Sequence, residues 1–170
     1  MTSLHRPIFF LSILFTALSF SGEAEEPVRP LNFVNDIVPI LTKADCNTGS
    51  CHAKAITGQR GFRLSLLGFE SEDDYEHIVK EGRGRRIFPA APDQSLLLLK
   101  AANIVPHGGG KKLDPESEGF KTLVRWISEG TPYSSEKDPT LAKIEVEPKK
   151  MSMKSNSNQA LKVTARYSDG

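Results

Sequence analysis

The chain contains only two cysteines, and its fold has to be built around the short segment that they enclose. This segment reads Cys46-Asn47-Thr48-Gly49-Ser50-Cys51-His52. The four residues between the cysteines are small and favour turns, so the segment is expected to form a bulged loop. Such a loop places two thiols and one imidazole on the same short stretch of backbone.

The N-terminal residues predict that the chain is exported. Residues 1–6 are short and basic, and residues 7–20 form an almost unbroken apolar run. That run is shorter than the roughly 20 residues that a membrane-spanning helix needs. Residues 1–24 are therefore interpreted as a signal peptide, with an uncleaved membrane anchor as the alternative. The expected location is periplasmic or otherwise extracytoplasmic, with no stable membrane span after cleavage.

The charge pattern excludes one class of partner, and the expected compartment leaves several roles open for the cysteines. The formal net charge is +1, and acidic and basic residues are spread along the whole chain. Nucleic-acid binding requires a concentrated basic face, so nucleic acid is not expected as a partner. Outside the reducing cytoplasm, Cys46 and Cys51 could form a disulfide, a metal site or the attachment point of a covalent cofactor.

The histidine directly after the second cysteine favours a covalent haem. A c-type haem needs two thiols for its vinyl groups and a following histidine for its iron. Cys46 and Cys51 are the predicted thioether anchors of one haem c, and His52 is the predicted proximal iron ligand. The spacer has four residues instead of the usual two. A disulfide between the cysteines, or a zinc site that recruits further histidines, remains the alternative.

The second axial ligand of the iron is predicted to be a histidine. After the signal, methionine occurs only at Met151 and Met153, in a polar stretch far from the cysteines. His107 precedes three glycines, which allow backbone to approach a flat ligand without Cβ clashes. We therefore predict His107 as the distal ligand, with an open or water-bound iron as the alternative. His77 falls off the apolar stripe of its predicted helix and is expected to be solvated.

Three arginines and one tryptophan complete the set of predicted cofactor contacts. Arg83, Arg85 and Arg86 could neutralise haem propionates through charge-assisted hydrogen bonds, although a solvated basic loop would have the same composition. Trp126 is expected to be a core residue packed near the haem edge.

Helical periodicity and capping signals predict a mainly α domain around the haem. The predicted elements are a short helix through Val34 and Leu41 capped by Asn35 or Asp36, an extended segment over 61–66, a helix from Ser71 to Val79, a buried helix over 96–99, and a helix from Asp114 to Glu129.

The sequence pattern changes to period-two alternation after Lys143. Ile144 and Val146, and then alternate residues over 161–167, predict two strands. Two strands cannot bury a core alone, so this region is interpreted as the beginning of a β domain in a longer protein. Residues 134–142 are the predicted linker between the two domains.

Together these segments resemble the haem-binding region of planctomycete-type cytochrome c proteins. The resemblance is carried by residues 35–41, 46–52, 61–66, 82–86, 89–100, 106–110 and 126–127. It implies a small cytochrome c-like helical domain over residues 30–133. It further implies that residues 143–170 begin a bacterial Ig-like β-sandwich. The four-residue spacer is the departure from the general cytochrome c pattern.

The expected function is that of an exported monohaem electron-transfer module at the front of a larger secreted protein. Its partner would be a redox protein or a small electron carrier. No carboxylate pair, Ser-His-Asp set or phosphate-binding loop stands out, so the chain is not expected to be an enzyme. Two alternatives remain: a non-redox adhesion or scaffold module with a disulfide and an Ig-like binding region, and a haem enzyme or gas sensor with five-coordinate iron.

Overall fold

The structure, a computed structural model, describes residues 29–54, 61–134 and 137–170, so the predicted signal peptide lies outside the described residues. Within these ranges the chain forms four α-helices and one pair of strands. The helices are α1 (Val38–Lys43), α2 (Ser71–Val79), α3 (Leu96–Ala101) and α4 (Glu118–Ser128), and the strands are β1 (Leu141–Glu147) and β2 (Lys162–Tyr167). A π-helical turn covers Phe33–Ile37, and 3₁₀ turns cover Leu66–Gly68 and Pro92–Gln94. In the described part of the chain, no helix is long and apolar enough to cross a membrane.

The first helical segment begins earlier than the sequence predicts. Asn32 is the N-cap, and its side-chain oxygen accepts a hydrogen bond of 2.9 Å from the Asn35 backbone N–H. A π-helical turn then leads into α1, so that Phe33 is fully buried whereas Val34 is 39% exposed. The predicted caps Asn35 and Asp36 therefore lie inside the turn rather than at its start.

The last helix begins later than the sequence predicts. Ser117 is the N-cap of α4, with its hydroxyl oxygen accepting from the Phe120 backbone N–H at 3.3 Å. Asp114, the predicted cap, instead accepts from the Glu116 N–H in a preceding turn. Gly119 lies against α1, where an added Cβ would be 3.2 Å from a methyl carbon of Ile40.

The core of the helical region is built around an aromatic cluster. Phe33 contacts Tyr75 and Trp126 with ring-centroid distances of 5.3 and 5.6 Å, and Tyr75 contacts Tyr133 at 5.2 Å. Trp126 is fully buried and donates its indole N–H to the Pro132 carbonyl at 2.9 Å. Large aromatic side chains contribute most of the apolar area that such a small core removes from water. The cluster ties α2 and α4 to the N-terminal turn.

The strands form a single antiparallel pair in the register Ile144↔Ala165 and Val146↔Val163. Ile144 and Val163 remain more than half exposed. The segment that leads into β1 is fastened to the N-terminal turn by a hydrogen bond from the Asn35 side-chain amide to the Pro139 carbonyl at 2.7 Å. The two predicted strands are thus found, but within the described residues no second sheet covers them.

The predicted fold class, a mainly α cytochrome c-like domain followed by the first strands of an Ig-like sandwich, is wrong. The described residues form four short helices and a two-stranded sheet, which make a small mixed α/β fold. Left-handed residues follow three helices within a few positions: Asp45 after α1, Gly82 after α2 and Asn103 after α3. The helices are found close to their predicted positions, but the longest has 11 residues, which is too little helix for a mainly α domain.

Candidate functional site

The loop that carries the two cysteines is wound into consecutive turns directly after α1. The backbone N–H of Cys46 donates to the Leu41 carbonyl at 2.9 Å, and the N–H of Cys51 donates to the Thr48 carbonyl at 3.1 Å. The N–H of His52 returns to the Cys46 carbonyl at 3.0 Å. The spacer therefore folds back on itself and brings His52 beside the first cysteine.

Asn47 fixes the spacer to its surroundings. Its side-chain amide donates to the Thr42 hydroxyl at 2.9 Å, and its backbone carbonyl accepts from the Leu67 N–H at 3.2 Å. The side-chain oxygen, Oδ1, is buried and has no hydrogen-bond partner. Burying an oxygen without a hydrogen-bond partner lowers the stability of the fold. The amide and backbone hydrogen bonds of Asn47 nevertheless hold the residue in place. No local pattern in the sequence indicates this role.

Both cysteines are free thiols and both are half-buried. Burial, followed by the nearby Cys51 thiol, raises the pKa of Cys46 to about 11. Cys46 also packs against the hydrophobic core. At neutral pH this thiol is therefore protonated, and a protonated thiol is a poor nucleophile for disulfide exchange.

His52 is positioned by Phe62, a residue that no sequence motif indicates as part of the site. The two ring centroids are 4.6 Å apart, and His52 Nδ1 lies 3.3 Å from the Phe62 carbonyl oxygen. Burial lowers the pKa of His52, with His107 and Arg86 acting in the same direction and the Phe62 carbonyl opposing them. The imidazole is thus neutral at neutral pH. With Nδ1–H donated to the carbonyl, Nε2 carries the free lone pair.

His107, like His52, is held by a hydrogen bond from its ring to a backbone carbonyl. Its Nδ1–H donates to the Gly110 carbonyl at 2.8 Å, and its backbone N–H donates to the side chain of Asn103 at 3.2 Å. Gly109 gives the ring room, because a Cβ there would be 3.0 Å from His107 Cε1. The Nε2 atom of this imidazole is again the one left with a free lone pair.

The structure brings His52 and His107 together although they are far apart in the sequence. Their ring centroids are 6.1 Å apart and the ring planes differ by 11°. Each imidazole leaves Nε2 free, so His52 and His107 are the residues that would hold a haem iron.

Arg86 contacts the Phe62 ring, which also packs against His52. Its guanidinium is 4.7 Å from the Phe62 ring centroid and donates to the backbone carbonyls of His77 and Glu81 at 2.7 and 2.9 Å. The residue is 6% exposed, so these bonds replace water that the cation has lost. Burial accordingly lowers the pKa of Arg86. Arg86 is therefore a buried residue that holds Phe62 beside His52, and it does not lie on an open surface.

The other predicted cofactor contacts lie elsewhere among the described residues. Arg83 and Arg85 are exposed and make no hydrogen bond or ion pair with described residues. Trp126 belongs to the aromatic core, and its ring contacts are Phe33 and Tyr75. His77, predicted to be solvated, is half-buried and its Nδ1 bonds to the Asp73 carbonyl at 2.7 Å.

Comparison with known proteins identifies no relative. No family model matches the chain, and no curated protein or solved structure matches it. The resemblance to planctomycete-type cytochrome c proteins thus stays a prediction from the sequence. The described residues also contain no group of three or more His, Cys, Asp or Glu side chains arranged to hold a bare metal ion. The candidate site therefore consists of the cysteine loop and the histidine pair.

Proposed function

We propose that the chain is an exported module that carries one covalent haem c and transfers single electrons. The observation that carries the proposal is the arrangement of His52 and His107, whose rings are 6.1 Å apart and nearly parallel. Each ring donates Nδ1–H to a backbone carbonyl and leaves Nε2 free. Backbone acceptors of this kind fix the tautomer and orientation of metal-ligating histidines.

The cysteine loop supplies the covalent part of the proposed site. Cys46 and Cys51 would form the two thioethers, with His52 as proximal and His107 as distal ligand. A bound haem would supply a single iron that alternates between the ferric and ferrous states. The turns of the loop hold His52 against the backbone of Cys46, with an N–H to carbonyl bond of 3.0 Å. This bond would keep His52 in place beside the proposed thioether of Cys46.

The histidine pair also sets the expected range of reduction potential. A thioether ligand favours reduced iron, so two imidazoles give a lower potential than a histidine-methionine pair. The module is therefore proposed to exchange electrons with a redox protein or small carrier at comparatively low potential.

Production of the 170-residue chain in cells that contain a cytochrome c maturation system tests the proposal. The pyridine haemochrome spectrum should show a c-type band, and mass spectrometry should show one haem bound through two thioethers. Cys46→Ser and Cys51→Ser should each remove one thioether. His77→Ala, a histidine outside the proposed site, should retain the full haem content. A chain without covalent haem, and with a Cys46 to Cys51 disulfide, would instead favour the non-redox scaffold.

Export is the second part of the proposal and has a separate test. Fractionation of the producing cells should place the chain outside the cytoplasm, and N-terminal sequencing should show that the predicted signal, residues 1–24, has been removed. Retention in the membrane fraction with an intact N-terminus would support the uncleaved anchor.

A further inference from the structure

An exposed apolar ridge lies directly beside the cysteine loop. It consists of Leu66, Leu67 and Phe69, whose side chains are 54%, 59% and 91% exposed. Isolated exposed apolar residues are ordinary on protein surfaces, but a contiguous group of large ones indicates an interaction surface. The ridge also lines a groove with Lys54 and Glu70.

The ridge is held rigidly at this position. Leu67 has a φ of 54°, in the left-handed region that branched side chains rarely adopt. The backbone N–H of Leu67 donates to the carbonyl of Asn47, which lies between the two cysteines. Gly68 approaches α1 so closely that a Cβ would be 2.2 Å from a methyl carbon of Val38. The left-handed conformation of Leu67 is unfavourable by itself and is stabilised by these contacts. As a result, the apolar side chains of the ridge stay exposed to water next to the cysteine loop.

The charges around the ridge indicate what kind of partner fits it. The start of α2 and the residue before it present the carboxylates of Glu70, Glu72 and Asp73, which border a second groove with Phe69. Lys54 pairs with Glu70 and Asp73, at 2.7 Å in each case. Glu72 is exposed and has no hydrogen bond or ion pair with described residues. Among the described residues, three carboxylates against one ammonium leave the border of the ridge acidic.

We propose that this surface, the ridge with its acidic border, docks a cationic electron-transfer protein. An apolar centre with a charged rim of one sign is suited to short-lived redox complexes, in which opposite charges steer the encounter and little area is buried. The partner would carry lysines or arginines around an apolar patch. Because the ridge is bonded to the spacer between the cysteines, the docked partner would lie close to the proposed haem. This inference rests on the proposed function.

Two probes of opposite charge test the docking surface. The probes are a small lysine-rich cytochrome c and a small acidic blue-copper protein, each titrated in its oxidised form into the isotopically labelled oxidised chain. Amide NMR shifts should move at residues 64–73 with the basic probe only. Affinity for that probe should fall steeply as salt is raised, because rim charges are screened.

Matched variants separate the apolar ridge from its border. Phe69→Ser should weaken binding of the basic probe about tenfold, as expected for an aromatic anchor, whereas Val163→Ser on β2 should not. Glu72→Lys should weaken it several-fold at low salt and lose this effect at high salt, whereas Glu118→Lys on α4 should not. The second-order rate constant for electron exchange with the basic probe should fall for Phe69→Ser and, to a smaller extent, for Glu72→Lys.

Three outcomes would overturn the docking surface while the haem spectrum stays intact. They are equal binding of both probes, binding unchanged by Phe69→Ser, or a wild-type dimer in sedimentation that Phe69→Ser converts to a monomer. The last result would assign the ridge to a second copy of this chain. A chain that lacks covalent haem would refute the proposed function instead, and with it the redox nature of the partner.

Discussion

The imidazole rings of His52 and His107 lie 6.1 Å apart, centre to centre, with their planes 11° from parallel. Each ring is fixed by a backbone carbonyl, that of Phe62 for His52 and that of Gly110 for His107. Neither contact depends on a charged side chain, so the orientation of both rings is insensitive to salt. The chain therefore presents two preorganised imidazoles, and the cost of ordering them is met by the fold.

His107→Ala removes the proposed distal ligand. The ferric spectrum should change from low-spin to high-spin because a water or an open position replaces a strong-field nitrogen. His107→Met should retain a low-spin reduced spectrum and raise the reduction potential on the order of 0.1 V, a part of the roughly 0.8 V that axial ligands span. Optical spectra and a redox titration measure both changes. An unchanged spectrum in His107→Ala, with His77→Ala as the histidine control, would assign the sixth ligand to another group.

Gly109→Ala tests whether the loop backbone positions the His107 ring. The added Cβ would be 3.0 Å from His107 Cε1, closer than nonbonded carbons normally come, so the ring should rotate or withdraw. The neighbouring substitution Gly108→Ala meets no atom within 4 Å and serves as the control. We expect a mixed high-spin and low-spin spectrum for Gly109→Ala and a wild-type spectrum for Gly108→Ala. Identical spectra for the two variants would show that the ring tolerates the extra methyl group.

The sequence singled out His52 and His107, which the structure brings together, but not the contacts that position them. The order of cysteines and histidine is a local pattern, and so is the glycine run after His107. The contact of His52 with the Phe62 ring and the position of Arg86 behind that ring depend on tertiary packing, which periodicity does not encode. Phe62 and Asn47 were therefore not predicted. Arg83 and Arg85 were predicted to share one role with Arg86, but they are exposed, whereas Arg86 is buried against the Phe62 ring.

Helix boundaries were mispredicted for a related reason. Asn32 caps the first turn while its side-chain amide bonds to Asp138, more than one hundred residues further along the chain. A cap that is stabilised by so distant a partner cannot be recognised locally, and Asn35 offered an equally good local signal. The strands were predicted well, since the alternation around Ile144 and over 161–167 corresponds to β1 and β2. The predicted sandwich was inferred from these strands alone, and no second sheet accompanies them within the described residues.

Arg86→Ala should destabilise the fold strongly. It removes the donors to the His77 and Glu81 carbonyls and the cation over the Phe62 ring, all at a buried site. Loss of a buried, fully bonded cation costs roughly 3 kcal/mol of the free energy of unfolding. Arg85→Ala, at an exposed neighbouring position, should change it by less than about 0.5 kcal/mol. Urea denaturation measures both values, and equal effects would contradict a supporting role for Arg86.

Asp74 should make stability depend on pH. Burial raises its pKa in the folded chain above the ordinary value of 3.8, although hydrogen bonds from the Ser65 hydroxyl and backbone N–H oppose the shift. A raised folded pKa means that ionisation is less favourable in the folded than in the unfolded chain. The stability contribution is therefore present at low pH and is lost as pH rises through the unfolded and then the folded pKa.

The comparison with Asp74→Asn isolates this contribution, because an amide does not titrate. The wild-type free energy of unfolding minus that of Asp74→Asn should fall with rising pH above about 3.8 and level off above the folded pKa. Ser65→Ala removes one bond to the carboxylate, so it should raise the folded pKa further and extend the fall to higher pH. Urea denaturation at a series of pH values measures these differences. A difference that rises with pH would show a lowered pKa and refute the sign.

Asn47→Ala should impair haem attachment more than it impairs stability. The change removes the bond to the Thr42 hydroxyl, but it also removes the buried Oδ1 that has no partner, so the free energy of unfolding should change by only about 1 kcal/mol. The spacer would meanwhile lose its side-chain link to α1, and the two thiols would no longer be held in one arrangement. Mass spectrometry should find a larger fraction of chains with one thioether or none.

Thr48→Ala, which removes one hydroxyl bond to the Asp45 carbonyl, is the control within the same spacer and should attach haem normally. Equal attachment in the two variants would mean that the turns of the backbone, rather than the Asn47 side chain, set the distance between the cysteines.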